Sequence, residues 1–398
     1  MQDKYFNLEV ATVSKCNMAC TYCFEGEELQ TNKKQTKENL EDIIIKIKAL
    51  LDNDKFIQEY PSGICVNLWG GEPSLNYEWN KELVDTLRQK PYWDKLTFFM
   101  YSNGYHYSKV KDHIDLFFPN ELKQKKFRLQ ISWDGIDNGR VNHKGNPTNE
   151  KIRNHILTFS LMYPDLSLTT KATIQPEELL KLETIWLEYF KLYQDVKKVK
   201  DQNHNNTIVN FSPTLNYVDD FDDKNPEYLE QLKIQFGKVS KLEEAFYSKY
   251  NHYLFGWFSE SQPEARTKRL TNCSAGINLL AVDYNGQISS CHGTLYSNMK
   301  KDFDEFHDMN IKEDNQSFIQ KFFGSREELK AHYSYVADSC ISCEATICYK
   351  CPVVNIEQLN YLKPENFQVR DTRHCSIYKL FGKFDRIKLS EKIIKKDV

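Results

Sequence analysis

The chain has 398 residues, of which 40% are hydrophobic, and a formal net charge of −3. This length allows one large domain with a smaller one beside it. The charge balance gives no basic excess of the kind that binds phosphates, so we expect no nucleic-acid partner. No apolar run approaches the ~20 residues of a membrane span, and the start, MQDKYFNLEV, lacks the pattern of a secretory signal. We therefore expect a cytoplasmic protein without a membrane partner.

Six strands and the helices between them are predicted in the first two-thirds of the chain. The strands are expected at residues 5–14, 64–69, 96–101, 127–133, 166–174 and 207–213. Apolar residues at helical spacing follow several of them, as at residues 40–51 and 149–163. This alternation indicates a parallel sheet with right-handed crossovers. We predict an α/β fold, a partial (β/α)6 barrel of the TIM type, with its chemistry at the C-terminal ends of the strands.

The pattern changes in the last third of the chain. Residues 226–258 are predicted to be helical and to end the barrel, and INLLAVDYNGQISSC predicts two strands joined by the Asn285-Gly286 turn. We place a domain boundary there. Residues 1–264 are expected to form the barrel and the helices that follow it, and residues 265–398 a second domain.

Eleven cysteines are grouped rather than scattered. Three lie within residues 16–23, a lone Cys65 follows, and the other seven begin at Cys273. Because the cytosol keeps thiols reduced, disulfides are not expected. Grouped thiols indicate metal binding, whereas Cys65, inside a predicted strand, is expected to be a small buried side chain.

The first cysteine group follows the first predicted strand, in SKCNMACTYCFEGEE. A four-iron cluster held by Cys16, Cys20 and Cys23 would keep one iron open to a small molecule. The C-x3-C-x2-C spacing, with Tyr22 before the last cysteine, resembles the radical S-adenosylmethionine (SAM) enzymes. In that family the open iron binds SAM, and the 5′-deoxyadenosyl radical formed from it abstracts hydrogen from the substrate. The alternative is zinc held by these cysteines and a histidine.

Three further segments at predicted strand ends resemble motifs of the same family. WGGEP (69–73) resembles the glycine-rich turn that meets the amino group of SAM, YSNG (101–104) a segment near the cofactor, and SWDG (132–135) the turn at the ribose. The two glycines fit because a side chain would block close backbone approach. The resemblance implies SAM contacts at Tyr22, Gly70, Gly71, Glu72, Pro73, Ser102, Asn103, Ser132 and Asp134.

The later cysteines resemble the SPASM extension, in which family members hold two auxiliary iron–sulfur clusters. Cys273, Gly286 and Cys291 match its first part in full, and the rest matches with two spacers one residue short. The resemblance implies an outer cluster on Cys340, Cys343, Cys348 and Cys375, and an inner one on Cys273, Cys291 and Cys351. We therefore expect three [4Fe–4S] clusters and SAM as cofactors, in a C-terminal iron–sulfur domain. Structural zinc is the alternative for residues 340–351.

The resemblance implies an enzyme that modifies a peptide or protein. Relatives include maturases that cross-link ribosomally made peptides (RiPPs) and anaerobic sulfatase-maturating enzymes. We expect hydrogen abstraction from a residue of the substrate and formation of a thioether or carbon–carbon cross-link. The alternative reaction is oxidation of Ser or Cys to formylglycine. A non-catalytic iron–sulfur or zinc scaffold is the alternative of another class, but it would need no WGGEP turn.

His292 follows the second SPASM cysteine, where the sulfatase-maturating branch has a catalytic Asp. We name it as a candidate catalytic residue because histidine accepts protons near neutral pH. The alternative is a hydrogen-bonded neighbour of a cluster ligand. We also expect an external electron donor of the flavodoxin or ferredoxin type. Only fifteen residues precede Cys16, so leader recognition is expected from the barrel or from a separate leader-binding protein.

Overall fold

The computed structural model describes residues 4–23, 25, 29, 31–203, 206–211, 214–215, 221–256, 275–295, 308–333, 376–377 and 380. Six of the predicted metal ligands lie outside these residues, namely Cys273, Cys340, Cys343, Cys348, Cys351 and Cys375. Their roles stay predictions. The domain boundary near residue 265 also lies outside the described residues and stays a prediction.

Five parallel strands form the centre of the main sheet. They are β1 (Tyr5–Val13), β2 (Gly63–Gly70), β3 (Leu96–Ser102), β4 (Phe127–Ser132) and β5 (Ser167–Lys171), and they lie side by side in that order. The helices around them are α1 (Lys37–Leu51), α2 (Asp54–Glu59), α3 (Tyr77–Arg88), α4 (Tyr107–Ile114), α5 (Pro119–Lys123), α6 (Asn149–Met162), α7 (Leu182–Asn203) and α8 (Pro226–Tyr250). The predicted α/β class and its strand–helix alternation are confirmed.

The sixth predicted strand, at residues 207–213, is not a strand of this sheet. Ile208 makes one parallel bridge to Thr169 on β5. The pairing then continues in a separate small sheet of β6 (Thr173–Ile174) and β7 (Thr214–Leu215). The end of the predicted strand, residues 212 and 213, lies outside the described residues.

Two strands from the predicted second domain extend the main sheet. β8 (Leu279–Val282) pairs in parallel with β1, and β9 (Ile288–Ser289) returns antiparallel to β8. The turn between them has Gly286 at φ +79°, and the Asp283 carboxylate accepts hydrogen bonds from the backbone N–H groups that follow it. The predicted hairpin is confirmed, but its position beside β1 was not predicted.

The strands present different side chains to the two faces of the sheet, as expected from their two-residue period. Phe6, Leu8 and Val10 of β1 pack with the helices in one apolar core, and alternate residues of the other strands do the same. The residues between them face the opposite side, which we call the concave face. On β4 and β5 these residues are partly exposed among the described residues, whereas Glu9 of β1 and Cys65 and Asn67 of β2 are buried, so the concave face is open mainly along β4 and β5.

Among the described residues, two helices follow the hairpin, α9 (His292–Leu295) and α10 (Asn315–Tyr333). Arg326 of α10 is fully buried and donates hydrogen bonds to both carboxylate oxygens of Glu59 (2.7 and 3.0 Å) and to the Ile277 carbonyl (2.8 Å). This side chain joins α10 to the end of α2 and to the segment before β8. Neither α10 nor any other described helix combines the length and apolarity that crossing a membrane requires.

Candidate functional site

The first three cysteines lie in the loop after β1, at the C-terminal edge of the sheet. Burial raises the pKa of the Cys16 thiol to about 12 and that of the Cys23 thiol to about 11, and it also raises the pKa of Cys20. Within the described residues, no three His, Cys, Asp or Glu side chains are already gathered around a metal position. Iron would therefore draw the thiols together and displace their protons, because the thiolate is the form that binds metal.

The glycine-rich turn at the end of β2 packs directly against this cysteine loop. A Cβ atom on Gly71 would lie 2.3 Å from the Ser14 carbonyl oxygen and 2.6 Å from that of Lys15. On Gly70, which has φ +125°, it would lie 2.4 Å from the Val13 carbonyl oxygen. Side chains at both positions would push the loop away, so the glycines are needed here apart from any approach to SAM.

Glu72 connects the glycine-rich turn to the end of β3. Its buried carboxylate accepts hydrogen bonds from the Ser102 hydroxyl (2.9 Å) and from the backbone N–H groups of Asn103 (2.7 Å) and Ser74 (3.1 Å). Its own backbone N–H donates to the Lys15 carbonyl (3.0 Å). Burial raises the pKa of Glu72, and the hydrogen bonds oppose that rise. Three predicted site residues from two strand ends thus meet at one carboxylate.

Asn103 continues these contacts into the cysteine loop. Its Nδ2 donates to Asn17 Oδ1 (2.7 Å) and lies 3.5 Å from Cys16 Sγ. The Nδ2 atom of Asn17 is itself buried and has no acceptor among the described residues. Because buried polar groups are normally hydrogen-bonded, this donor beside Cys16 fits a sulfide or carboxylate acceptor. Together with a donor set of three thiols, it fits an iron–sulfur cluster in the loop.

Asp134, just after β4, is fully engaged by protein groups. It accepts hydrogen bonds from Arg140 Nε (2.8 Å) and Nη2 (3.1 Å), from the Tyr22 hydroxyl (2.5 Å) and from the Thr173 N–H (2.9 Å). A carboxylate has about four lone-pair positions, so these four bonds fill it. Burial and the nearby Asp134 charge raise the pKa of Tyr22. Asp134 and Tyr22 therefore position the cysteine loop, and their contact with SAM stays a prediction.

Sequence analysis missed the segment at residues 138–148, which contributes Arg140 and lies against the cysteine loop. The Val141 carbonyl accepts a hydrogen bond from the Ala19 N–H (2.9 Å), and the His143 ring lies 3.0 Å from the Cys16 carbonyl. Its sequence, NGRVNHKGNPT, is rich in turn-forming residues and indicates a loop. Nothing local in that sequence indicates which part of the chain the loop contacts.

Two remaining SAM contacts suggested by sequence lie at the same edge of the sheet. Pro73 begins a 3₁₀ turn, Pro73–Leu75, and is buried. Ser132 is the last residue of β4 and is partly exposed on the concave face. Cys65, by contrast, is fully buried on β2, as expected for a thiol that packs rather than binds metal.

Cys291 and His292 lie just after β9, beside β1 on the concave face. His292 Nδ1 is 2.9 Å from Glu9 Oε2, and the backbone N–H of His292 donates to the same oxygen (3.2 Å). The imidazole ring also lies 5.2 Å from the Trp69 ring. Burial lowers the pKa of His292, but Glu9 outweighs this and raises it above its ordinary value. The catalytic role of His292 and the iron-binding role of Cys291 stay predictions.

Comparisons with known proteins give one family match and several solved structures of similar fold. A family described as a 4Fe-4S single cluster domain matches residues 9–142. No curated protein matches the sequence significantly. Two solved structures of anSMEcpe contain bound AdoMet, and one of them also contains a Cp18Cys peptide. Each is 16% identical to this chain, and the match covers 97% of this chain and 98% of the other. The TM-score is 0.64 for the structure with the peptide and 0.66 for the other. SuiB of Streptococcus suis, bound to S-adenosylmethionine, is 14% identical, with coverage of 92% and 76% and a TM-score of 0.56.

These solved structures are radical SAM enzymes, and the chain shares their fold over nearly its whole length. The predicted partial-barrel fold class is therefore confirmed, and the matched 4Fe-4S domain covers the cysteine loop and the strand-end motifs on which the resemblance was based. At 14–16% identity the likeness shows the fold, and the reaction is argued from the site below.

Proposed function

We propose that this chain is a radical SAM enzyme that modifies a residue of a ribosomally made peptide or protein. The observation that carries the proposal is that Glu72, Asn103 and Asp134, from the ends of three different strands, all connect to the cysteine loop. A loop fixed in this way is suited to hold a cofactor at the C-terminal edge of a parallel sheet. The matched 4Fe-4S domain and the AdoMet-bound neighbours support the same cofactors.

Each residue of the site has a distinct part in this proposal. Cys16, Cys20 and Cys23 bind the cluster, and Asn17 Nδ2 supplies a hydrogen bond to a cluster sulfide or to SAM. Ser132 offers a partly exposed hydroxyl to SAM from the end of β4. When bound, the cluster and SAM supply a 5′-deoxyadenosyl radical that abstracts hydrogen. The chain supplies the binding positions and the concave face on which a substrate lies.

We further propose that the substrate is a peptide and that the product is a thioether or carbon–carbon cross-link. A neighbour solved with a bound peptide supports the substrate class. The seven later cysteines would hold two auxiliary clusters, which makes three [4Fe–4S] clusters in all. A flavodoxin or ferredoxin would supply electrons, and a separate protein could present the leader of the precursor.

A second candidate is oxidation of a Ser or Cys side chain to formylglycine. The Glu9–His292 pair favours it, because a histidine fixed by a carboxylate on the concave face can take a proton from the substrate. The whole-length likeness to anSMEcpe is compatible with this reaction as well.

The cofactor assignment is tested by changing Cys16, Cys20 and Cys23 together to Ala. If three clusters are present, the variant should lose roughly a third of its iron after anaerobic reconstitution, from about twelve atoms per chain. It should also lose all reductive cleavage of SAM to 5′-deoxyadenosine. Iron analysis and chromatography of the nucleoside measure the two effects.

Cys65→Ala is the matched control, because this thiol is buried on β2 outside the loop and should not affect iron content. SAM cleavage retained by the triple variant would refute the radical SAM proposal. Stoichiometric zinc in protein purified without oxygen would refute the auxiliary clusters.

The reaction itself is tested by co-expression with a precursor peptide encoded beside this chain, followed by mass spectrometry. A cross-link and the oxidation of Ser each remove two hydrogen atoms, so mass alone does not separate them. Labelling with a hydrazide does, because formylglycine is an aldehyde and a cross-link is not. A labelled peptide would support the second candidate, and an unlabelled one that has lost two hydrogens would support the cross-link.

A further inference from the structure

Arg128 differs from the other arginines that the structure describes. Four of these five arginines form an ion pair with a carboxylate: Arg88 with Asp85 and Glu121, Arg140 with Asp134, Arg153 with Asp195 and Arg326 with Glu59. Arg128 has no carboxylate partner among the described residues. A positive charge on the inner surface of an enzyme without a negative partner is available to a ligand of opposite charge.

The side chain of Arg128 lies along the concave face. It starts from β4, passes over the Phe99 ring of β3 at 5.3 Å, and ends with Nη2 3.1 Å from Cys65 Sγ on β2. The Cys65 thiol in turn donates to Asn67 Oδ1 (3.1 Å). The ring and the thiol fix the guanidinium in place, and among the described residues only one of its five N–H donors is used, so the other donors are preorganised for another acceptor.

The acidic group on the neighbouring part of the concave face is already engaged. Glu9 of β1 is hydrogen-bonded to His292 at 2.9 Å and is not within ion-pair distance of Arg128. Arg128 and Glu9 both influence Tyr101 electrostatically, in opposite directions, so they belong to one polar surface. The positive end of that surface is the end that lacks a partner in the described chain.

We propose that Arg128 binds a carboxylate of the substrate, and that the substrate peptide therefore carries an acidic residue near the residue that is modified. This rests on the proposed function, because it takes the concave face as the place where the peptide lies. Arg128 is the second residue of β4. Ser132 is the last residue, four positions farther along, and lies at the edge that carries the cysteine loop. Four strand residues span about 13 Å, so the acidic residue lies several positions from the reacting one.

Two pairs of capped peptides test the proposal on the reconstituted full chain with SAM bound. One pair is Glu-Ala-Ala-Ala-Cys and its Gln counterpart, and the other pair has the reverse order. We expect the Glu member of at least one pair to bind about tenfold more tightly, as measured by calorimetry, because a charge-assisted pair replaces a neutral contact. Equal affinity of Glu and Gln peptides in both pairs would overturn the proposal without any variant.

Substitutions then assign the preference to Arg128. Arg128→Gln should remove the preference for Glu, and Arg128→Lys should keep part of it, since lysine retains the charge but not the planar fork. Arg153→Gln is the control, because this side chain pairs with Asp195 outside the concave face and should leave the preference unchanged. A preference that survives in Arg128→Gln would overturn the assignment.

Peptide-independent cleavage of SAM by the same wild-type preparation, supplied with a strong chemical reductant as electron donor, separates the two proposals. Intact cleavage without discrimination between Glu and Gln peptides refutes the Arg128 site alone. Discrimination in a protein that does not cleave SAM supports the carboxylate site and refutes the radical SAM function.

Discussion

Asp134 and Arg140 form a buried, bidentate ion pair, and the same carboxylate accepts the hydrogen bond from Tyr22 in the cysteine loop. Because both side chains are buried, each charge is stabilised by the other rather than by water. Removing one partner of such a pair leaves the other charge buried and unpaired, which costs far more than the loss of a surface ion pair.

We predict that Asp134→Asn lowers the free energy of unfolding of the iron-free protein by about 3–5 kcal/mol. Asn retains the shape of the side chain but cannot balance the charge of Arg140. Urea unfolding measures the change. Asp195→Asn, which removes the surface partner of Arg153, is the control and should cost less than about 1 kcal/mol. Similar losses in the two variants would contradict the importance given to burial.

Glu72 offers a second test with a single substitution, because three hydrogen-bond donors converge on its carboxylate. In Glu72→Gln an amide N–H₂ would face a donor where an oxygen now accepts. We predict a loss of about 1–3 kcal/mol in unfolding free energy, together with poorer iron uptake, because the turn that contacts Lys15 would shift. Glu82→Gln, on the exposed face of α3, is the matched control. Normal iron uptake by Glu72→Gln would show that the cysteine loop does not depend on this carboxylate.

Among the secondary-structure elements, β1 to β5 were predictable because local signals agreed. The hydrophobic alternation of FRLQIS marked β4, and the motifs after β2, β3 and β4 fell at strand ends, where parallel sheets carry their sites. That agreement also placed Glu72, Asn103 and Asp134 at one edge before any contact was known.

Other features depended on contacts between distant residues and had no local signal. The partner of β1 on its second side is β8, more than 270 residues later in the chain, and the sequence around Leu279 indicates a strand without indicating its neighbour. Arg140 was missed for the same reason, since its role comes from Asp134 and Tyr22 across the site. The short pairing at Ile208 shows the reverse case, in which an apolar pattern predicted a strand that the main sheet does not include.

The contact between the glycine-rich turn and the cysteine loop can be tested with Gly71→Val. Because even a Cβ atom would lie 2.3 Å from the Ser14 carbonyl oxygen, the loop must move. We predict that the variant loses iron from the first cluster as well as affinity for SAM, as shown by iron analysis and SAM titration. Gly237→Ala on α8 is the control. A Cβ there meets nothing within 4 Å, so it should retain iron and gain about 0.5–1 kcal/mol in stability.

If Gly71→Val retained its iron and lost SAM affinity alone, the glycine would serve the cofactor rather than the loop. Normal iron and normal SAM affinity would contradict both roles.

For the molecule as a whole, the sheet joins the two predicted domains. Asn7 to Val10 of β1 pair with β8, and Arg326 of α10 is buried against Glu59 at the end of α2. A fragment ending at residue 264 would lack β8 and leave one side of β1 with unpaired backbone groups, which favours association between copies. The hairpin therefore completes the sheet of the barrel.

The pairing of the hairpin with β1 also sets the distance between Cys291 and the cysteine loop. Ser289 of β9 lies level with Ala281 of β8 and hence with Glu9 of β1, and the backbone N–H of His292 donates to the Glu9 carboxylate, so Cys291 lies beside the middle of β1. The cysteine loop begins just beyond Val13, four residues from Glu9 along the same strand and about 13 Å away. If Cys291 binds iron as we propose, the hydrogen-bonded strand would fix the gap between this ligand and the cysteine loop. That gap would stay constant while a peptide enters and leaves, because a strand with partners on both sides cannot stretch.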